Sequence, residues 1–412
     1  MINIATILKH NVIGKLLNHV AVFFINIFIV RHLGASESGV YFNELYLLNF
    51  IVFIFSAGLD YAVIALLSQE PALLPSLNKM LFKVVVFFAA ILSVYVFLLL
   101  PLNNHYFRQP ALAIILFSIG NLLLIFYQGI LSALKKFNLQ NLVLGISNAL
   151  FLLYLLFFFR SGEQNQLAAI SIAYAVLYCT QGLLMFVFSY SKNNEFPISV
   201  SWNVFIRSGI YIMISSLIYF AFLRIDNFFV EKYENGTTLG NYIQCGKIGQ
   251  YFLYFSSIIS STLLPFISTE TVGASYAEWK KMMKPYIILL GMAAIGIALT
   301  GNFLFPFLFG RDFTEMYPLM LILLPGFVCL GMLTLLNAVY IGKGNIRKIF
   351  IGDLTGLLLV TGFDIWLVPY YGAYAAAIIS SAAYCLVFLY LAGSFKKQFL
   401  LPAKNQELFN KK

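Results

Sequence analysis

The residues able to do chemistry in this chain are few, and almost all stand inside long apolar runs. Asn11, Lys15, Asn18, His19 and Asn26 recur through the first run. At about 100° per residue they fall on one side of a helix. Tyr46, Asn49, Ser56 and Asp60 share a side in the second run. Ser208, Tyr211, Ser215, Tyr219 and Asp226 do so in the seventh, and Gln244, Lys247, Tyr251, Tyr254 and Ser261 in the eighth. Polar side chains are costly in hydrocarbon, so such stripes face protein or a water-filled cavity. Either they glue helices together through hydrogen bonds, or they line an aqueous cleft. Lys15, Arg31 and Asp226 lie near run ends, where reaching for the interface is the plainer explanation. Glu44 and Arg224 lie opposite their stripes and are expected to pair or to reach the outer mouth. Lys247 and Asp60 lie deeper and are the stronger functional candidates. Asp60, Asp226 and Asp364 are candidates for ion coupling, as is Asp353; neither Asp353 nor Asp364 has an evident basic partner.

Arg31, Lys247 and Arg224 make the expected cleft mildly cationic. Such a cleft between apolar walls suits an anionic head group, because a low dielectric strengthens phosphate pairing. Lys15, Asn26 and Tyr251 are expected beside them. No P-loop, G-x-S-x-G, H-E-x-x-H or G-x-G-x-x-G occurs, so no enzyme site, catalytic residue or nucleotide-driven step is expected. Cys179, Cys245, Cys329 and Cys385 each stand alone in apolar sequence, which suggests neither a metal site nor a disulfide framework.

The elements that must position these residues follow from composition. Of 412 residues, 61% are hydrophobic and 10% charged, against about 25% charged in soluble domains. A spanning helix needs about 20 apolar residues. The runs are long and continuous, which excludes a barrel of short alternating strands. Twelve spans are expected, at 12–32, 40–67, 80–101, 110–134, 138–159, 165–190, 204–230, 239–267, 284–309, 314–341, 347–369 and 372–393. The connections near 190–203 and 268–284 are too short to fold alone, and no cleavable leader is expected. With the N-terminus inside, 19 of the 26 Lys and Arg residues fall in cytoplasmic segments, which implies that both termini are cytoplasmic. The net charge of +10 is then explained by an anionic leaflet, without nucleic acid.

The chain also repeats. RHLGASESGVY at 31–41 parallels KYENGTTLGNY at 232–242, so that Arg31, Gly39 and Tyr41 precede Lys232, Gly240 and Tyr242 by 201 positions. ALKKFN at 133–138 precedes IGKGNI at 341–346 by 208. Shifts near half the length imply two six-helix halves of the same orientation, a transporter arrangement. The expected fold is an all-α integral membrane protein, about twelve transmembrane helices in two six-helix bundles around a central cleft. The bundles are expected at 1–200 and 201–395, with a basic cytoplasmic tail at 396–412.

Several strings resemble one family. These are RHLGASESGVY, GLDYAVIALLSQE at 58–70, QGILSALKKFN at 128–138, RIDNFFVEKYENGTTLGNYIQCGKIGQ at 224–250, LFGRDF at 308–313, GKGN at 342–345 and VPYYGAYAAAIISSAAY at 368–384. In this order they resemble polysaccharide-export flippases of the Wzx type, within the superfamily that includes multidrug and toxic-compound extruders and the lipid II flippase. Arg224, Asp226 and Lys247 match its R-x-D and K positions, and Arg31 the position before its LG turn. The family usually has Asn where this chain has Asp364, and Ala where it has Cys245. The resemblance implies a bacterial inner-membrane flippase that moves an undecaprenyl-diphosphate-linked oligosaccharide outward by alternating access. Implied with it are a proton or sodium coupling ion, contact with membrane lipids, glycan polymerase and chain-length partners, and a role in O-antigen (lipopolysaccharide) or capsule synthesis. The rival expectation is a cation-coupled multidrug exporter of the same fold; a membrane-bound glycan-processing enzyme is a more distant one.

Overall fold

The computed structural model describes residues 4–99, 107–159, 165–189, 201–269, 272–342 and 345–400, and among these the chain is helical with no strand. In order the helices are α1 (Ile4–Ser56), α2 (Leu59–Gln69), α3 (Leu74–Val94), α4 (Ala111–Ala133), α5 (Phe137–Phe158), α6 (Gln166–Ser189), α7 (Trp202–Phe222), α8 (Ile225–Tyr233), α9 (Gly236–Thr269), α10 (Val272–Phe309), α11 (Met316–Gly342) and α12 (Ile346–Leu400). Nine helical runs among the described residues are long and apolar enough to cross a membrane. The two longest lie within α1 and α12, which pass through joints at Gly34 (φ 72°) and Gly372 (φ 59°). Divided there, each supplies two spans, as the sequence pattern anticipates. Only residues without a Cβ enter that backbone region at little cost. Gly372 is fixed further by its surroundings. The Glu234 carboxylate accepts the Ala373 N–H at 3.1 Å, and a Cβ on Gly372 would lie 1.7 Å from Glu234 Oε1.

Two expected spans are broken where the pattern ran on. The second, at 40–67, stops at Ser56 and turns through Ala57 (φ 48°) and Gly58 (φ 65°) before α2. The seventh, at 204–230, stops at Phe222 and restarts as α8 after Arg224 (φ −140°, ψ −10°). The shared faces expected for Ser56 with Asp60, and for Tyr219 with Asp226, assumed unbroken helices and do not carry across these joints. An apolar run reports solvent, and it is silent about a break that neighbouring side chains satisfy.

The chain forms two compact units, Met1–Leu217 and Ile218–Lys412. Most of α7 belongs to the first, where Gly209 meets the α1–α2 joint; a Cβ on Gly209 would lie 2.4 Å from the Gly58 carbonyl oxygen. In each unit the helix expected as its fourth span, α4 or α11, is the most deeply buried of the spans. α4 meets α6 backbone to backbone. A Cβ on Gly120 would stand 2.5 Å from Cys179 N, and one on Gly182 would stand 2.5 Å from Gly120 O. Small residues permit this approach, which supplies dispersion where lipid offers no hydrophobic drive. Outward faces are apolar: Phe157 is 74% exposed, Leu299 78% and Phe303 76%. Surface of this kind is suited to acyl chains.

Gly120→Leu should overpack this contact and destabilise the protein by about 1–3 kcal/mol, read as a lower melting temperature of purified protein in detergent. Gly362, with open space where its Cβ would stand, is the control. Gly362→Leu should leave the melting temperature within error.

Candidate functional site

In the second unit the break between α7 and α8 places charge inside apolar packing. Arg224 caps α8, and Asp226 lies in its first turn, where the helix N-terminus favours an anion. Both are buried, at 6% and 4% exposure. Asp226 Oδ1 accepts the Asn227 N–H at 2.9 Å. Its Oδ2 accepts the hydroxyls of Tyr242 at 2.5 Å and Ser380 at 2.8 Å. Three helices, α8, α9 and α12, therefore meet on one carboxylate. The Arg224 guanidinium lies over the α9 backbone, its Nη1 2.9 Å from where a Gly246 Cβ would stand. It interacts with Asp226 and also with Lys247, the residue after that glycine. A cavity of about 20 Å³ lies among Arg224, Asp226, Tyr242, Gln250 and Tyr384, room for about one water.

Asp364, on α12, is 0% exposed. It feels the charge of Asp226, yet neither of its oxygens has a hydrogen-bond partner among the described residues. Asp353, 11 positions earlier and so close to the same face of α12, is also buried, with Oδ1 unpartnered. On α9 the expected stripe divides. Gln244 is buried, whereas Lys247, Tyr251 and Tyr254 are half-buried, with the two tyrosine rings edge to face at 5.8 Å.

In the first unit, Lys15, Asn18 and Asn26 are half-buried and Arg31 is exposed, three positions before the Gly34 joint. Part of the polar pattern glues helices. Asn121 Nδ2 donates to Asn49 Oδ1 at 2.6 Å, and Ser56 bonds its own helix at Phe53 O. Glu44 is buried and accepts the Arg108 N–H at 2.6 Å. Asp60 opens α2 with Oδ1 buried and unpartnered. The side chains of Asn11, Ser208 and Ser261 lie outside the described residues. The four cysteines are free.

Arg224, Asp226, Lys247 and Asp364 are thus brought together in one unit. Tyr242, Ser380 and Tyr384, which complete that cluster, were present only as letters within the GNY and AAAIISSAAY strings. The signal available was the repeat. Counting back 201 positions puts Phe23 opposite Arg224, Ile25 opposite Asp226 and Tyr46 opposite Lys247, while Tyr242 faces another tyrosine, Tyr41. Tyr41 is fully buried and its hydroxyl has no hydrogen-bond partner among the described residues, as expected where the acid has become isoleucine.

Tyr242→Phe should destabilise the protein by about 1–3 kcal/mol, because a buried carboxylate loses a donor. Tyr41→Phe removes a hydroxyl that makes no hydrogen bond among the described residues and should leave the melting temperature unchanged or raised.

No protein-family model and no curated protein sequence matches the chain. Solved structures do. A lipid II flippase, MurJ, in an inward closed conformation aligns with TM-score 0.75 at 16% identity, over 94% of this chain and 88% of its own. An inward-facing multidrug transporter of the MATE family and MOP superfamily gives 0.66 at 13%, over 92% and 95%. The Vibrio cholerae MATE transporter VcmN gives 0.65 at 14%, over 95% and 96%. The chain has the all-helical, multi-pass membrane fold that these transporters and flippases share.

Proposed function

We propose that the protein is a flippase for a polyprenyl-diphosphate-linked oligosaccharide, working by alternating access and coupled to an ion gradient. The observation that carries this reading is the neighbouring pair Arg224, at the N-cap position of α8, and Lys247, half-buried on α9, two basic residues within apolar packing. A diphosphate matches two adjacent cations, and its pairing with them strengthens away from water. Tyr251 and Tyr254 continue from Lys247 as a half-buried aromatic face, suited to the sugar that follows the diphosphate. Arg31, exposed on α1, is the third cation of the proposed path, with Lys15 and Asn26 earlier in the same helix. The fold likeness to a lipid II flippase supports a lipid-linked substrate. The membrane is then the bacterial inner membrane with both termini cytoplasmic, and the partners are a glycan polymerase and chain-length proteins of O-antigen or capsule assembly.

Asp364 is suited to the coupling ion. An ionised carboxylate buried without a partner is costly, and a bound proton or sodium ion relieves that cost. Asp226 and Tyr242, which interact with Asp364 electrostatically, present oxygen to it. The ion would supply charge that differs between the two access states, which is what couples a gradient to a conformational equilibrium. Asp60 is the corresponding candidate in the first unit.

A second reading, a cation-coupled multidrug exporter, is favoured by the same buried acids and by the fold shared with multidrug transporters. Lipophilic cations would then meet Asp60, Asp226 and Asp364 in place of the basic pair.

In cells that assemble the surface glycan, Lys247→Ala and Arg31→Ala should each cut export about 10- to 100-fold. This corresponds to the loss of one charge-assisted contact. Membrane levels of the protein should be unchanged. Normal glycan in both variants would remove the diphosphate assignment, and ethidium efflux by the wild type would favour the exporter. Asp364→Asn should abolish gradient-driven export while the melting temperature holds or rises, because the costly charge is gone. Retained export would exclude Asp364 from coupling.

A further inference from the structure

The first unit holds a cavity of about 180 Å³ that the proposed diphosphate site does not use. Its position mirrors the smaller cavity of the second unit. Val22 and Ile25 line it, and 201 positions later Leu223 and Asp226 line the other. The scaffold is repeated and the chemistry is not. Where the second unit has an acid, the first has Ile25, and no residue lining its cavity carries a charge.

Amides take the place of charge. Gln181 Nε2 donates to Ser147 Oγ and Asn148 Oδ1, each at 2.9 Å. Asn148 Nδ2 then donates to Asn18 Oδ1 at 2.5 Å. The chain runs from a buried floor at Gln181 and Asn148 to a half-buried rim at Asn18. It stops there: Asn18 Nδ2 donates to no described group. Gln128, also half-buried on the rim, makes no hydrogen bond among the described residues, so its carbonyl and its amide both remain available to the cavity. Tyr174 and Tyr178 form an aromatic wall, with hydroxyls 3.5 Å apart and Phe117 packed on Tyr178 at 4.8 Å.

We infer that this cavity is a subsite for one neutral pyranose ring of the glycan. The inference rests on the glycan-carrier reading and adds a second contact point to it. Size sets the first limit: at about 180 Å³ the space falls short of the ~300 Å³ at which drug-sized pockets begin. Charge sets the second. Without a carboxylate the site offers a cation no countercharge, and without a lysine or arginine it offers an anion none. Donor and acceptor pattern sets the third. A sugar hydroxyl both donates and accepts, and Gln128 and Asn18 present both an unpaired carbonyl and unpaired N–H groups. An aromatic wall suits the C–H face of a ring, whose partial positive charge meets the negative face of the π-system.

The test is saturation-transfer NMR on the full-length protein in nanodiscs. The probes are neutral methyl hexopyranosides, methyl N-acetylhexosaminides, a methyl hexuronide and geranyl diphosphate. At least one neutral glycoside should receive saturation, and Gln128→Leu and Asn18→Leu should each weaken it about tenfold while geranyl diphosphate binding is retained. Gln128 makes no hydrogen bond among the described residues, so its replacement should leave the fold intact. Geranyl diphosphate binding with no neutral glycoside bound overturns the subsite and leaves the flippase reading standing. Failure of both probes overturns both. Glycoside binding unchanged in the two variants places the ring elsewhere, and preference for the hexuronide refutes a neutral site.

Discussion

A polar group carried into lipid must be met by the chain itself, since no water is there to meet it. Asp226 shows what that demand does to a fold. To satisfy one carboxylate, the chain breaks the seventh span at Arg224, starts a short helix so that the Asn227 N–H points at Oδ1, and brings Tyr242 and Ser380 from two other helices onto Oδ2. The second unit is arranged around that meeting. Its small cavity, the position of Arg224 over Gly246 and the nearness of Lys247 all follow from where Asp226 lies.

The repeat makes the dependence visible. With Phe23, Ile25 and Tyr46 in the places of Arg224, Asp226 and Lys247, the first unit is free of that charge and opens a larger cavity lined by amides and tyrosines. The two units thereby offer different solvents: an ionic pocket with room for about one water, and a neutral one of about 180 Å³. The substrate we propose, with a charged head and uncharged sugars, would use both kinds of surface.

Much of the fold was legible because lipid imposes a coarse rule on sequence. Continuous apolar runs gave the helices, and the glycines at 34 and 372 fell where expected spans meet. What was not legible were the breaks inside runs. Ala57–Gly58 and Arg224 interrupt helices without interrupting hydrophobicity, so a phase argument carried Asp60 and Asp226 onto faces that the chain does not keep. The polar stripes were legible as stripes but not as roles. Asn49 proved to be glue for Asn121, whereas Asn18 ends an amide chain at a cavity. That difference depends on which neighbour lies across the interface, a long-range fact that local spacing does not encode.

Breaks also separate structural polarity from functional polarity. Where helices end or join, backbone N–H groups need partners from outside the helix, and carboxylates serve here: Glu234 accepts the Ala373 N–H at the Gly372 joint, Asp226 shares the Asn227 N–H with the Arg224 carbonyl at the start of α8, and Glu44 accepts the Arg108 N–H ahead of α4. Each of these acids therefore has a reason to be present even if the protein carries nothing. Asp364 has none. Among the described residues it caps no helix and accepts no hydrogen bond, and it is fully buried. Packing alone would favour an apolar side chain there, because burying a charge costs several kcal/mol. On the flippase reading proposed above, a group that the fold would do better without is held for something that arrives and leaves, and Asp364, more than the better-bonded Asp226, is the place we propose for coupling.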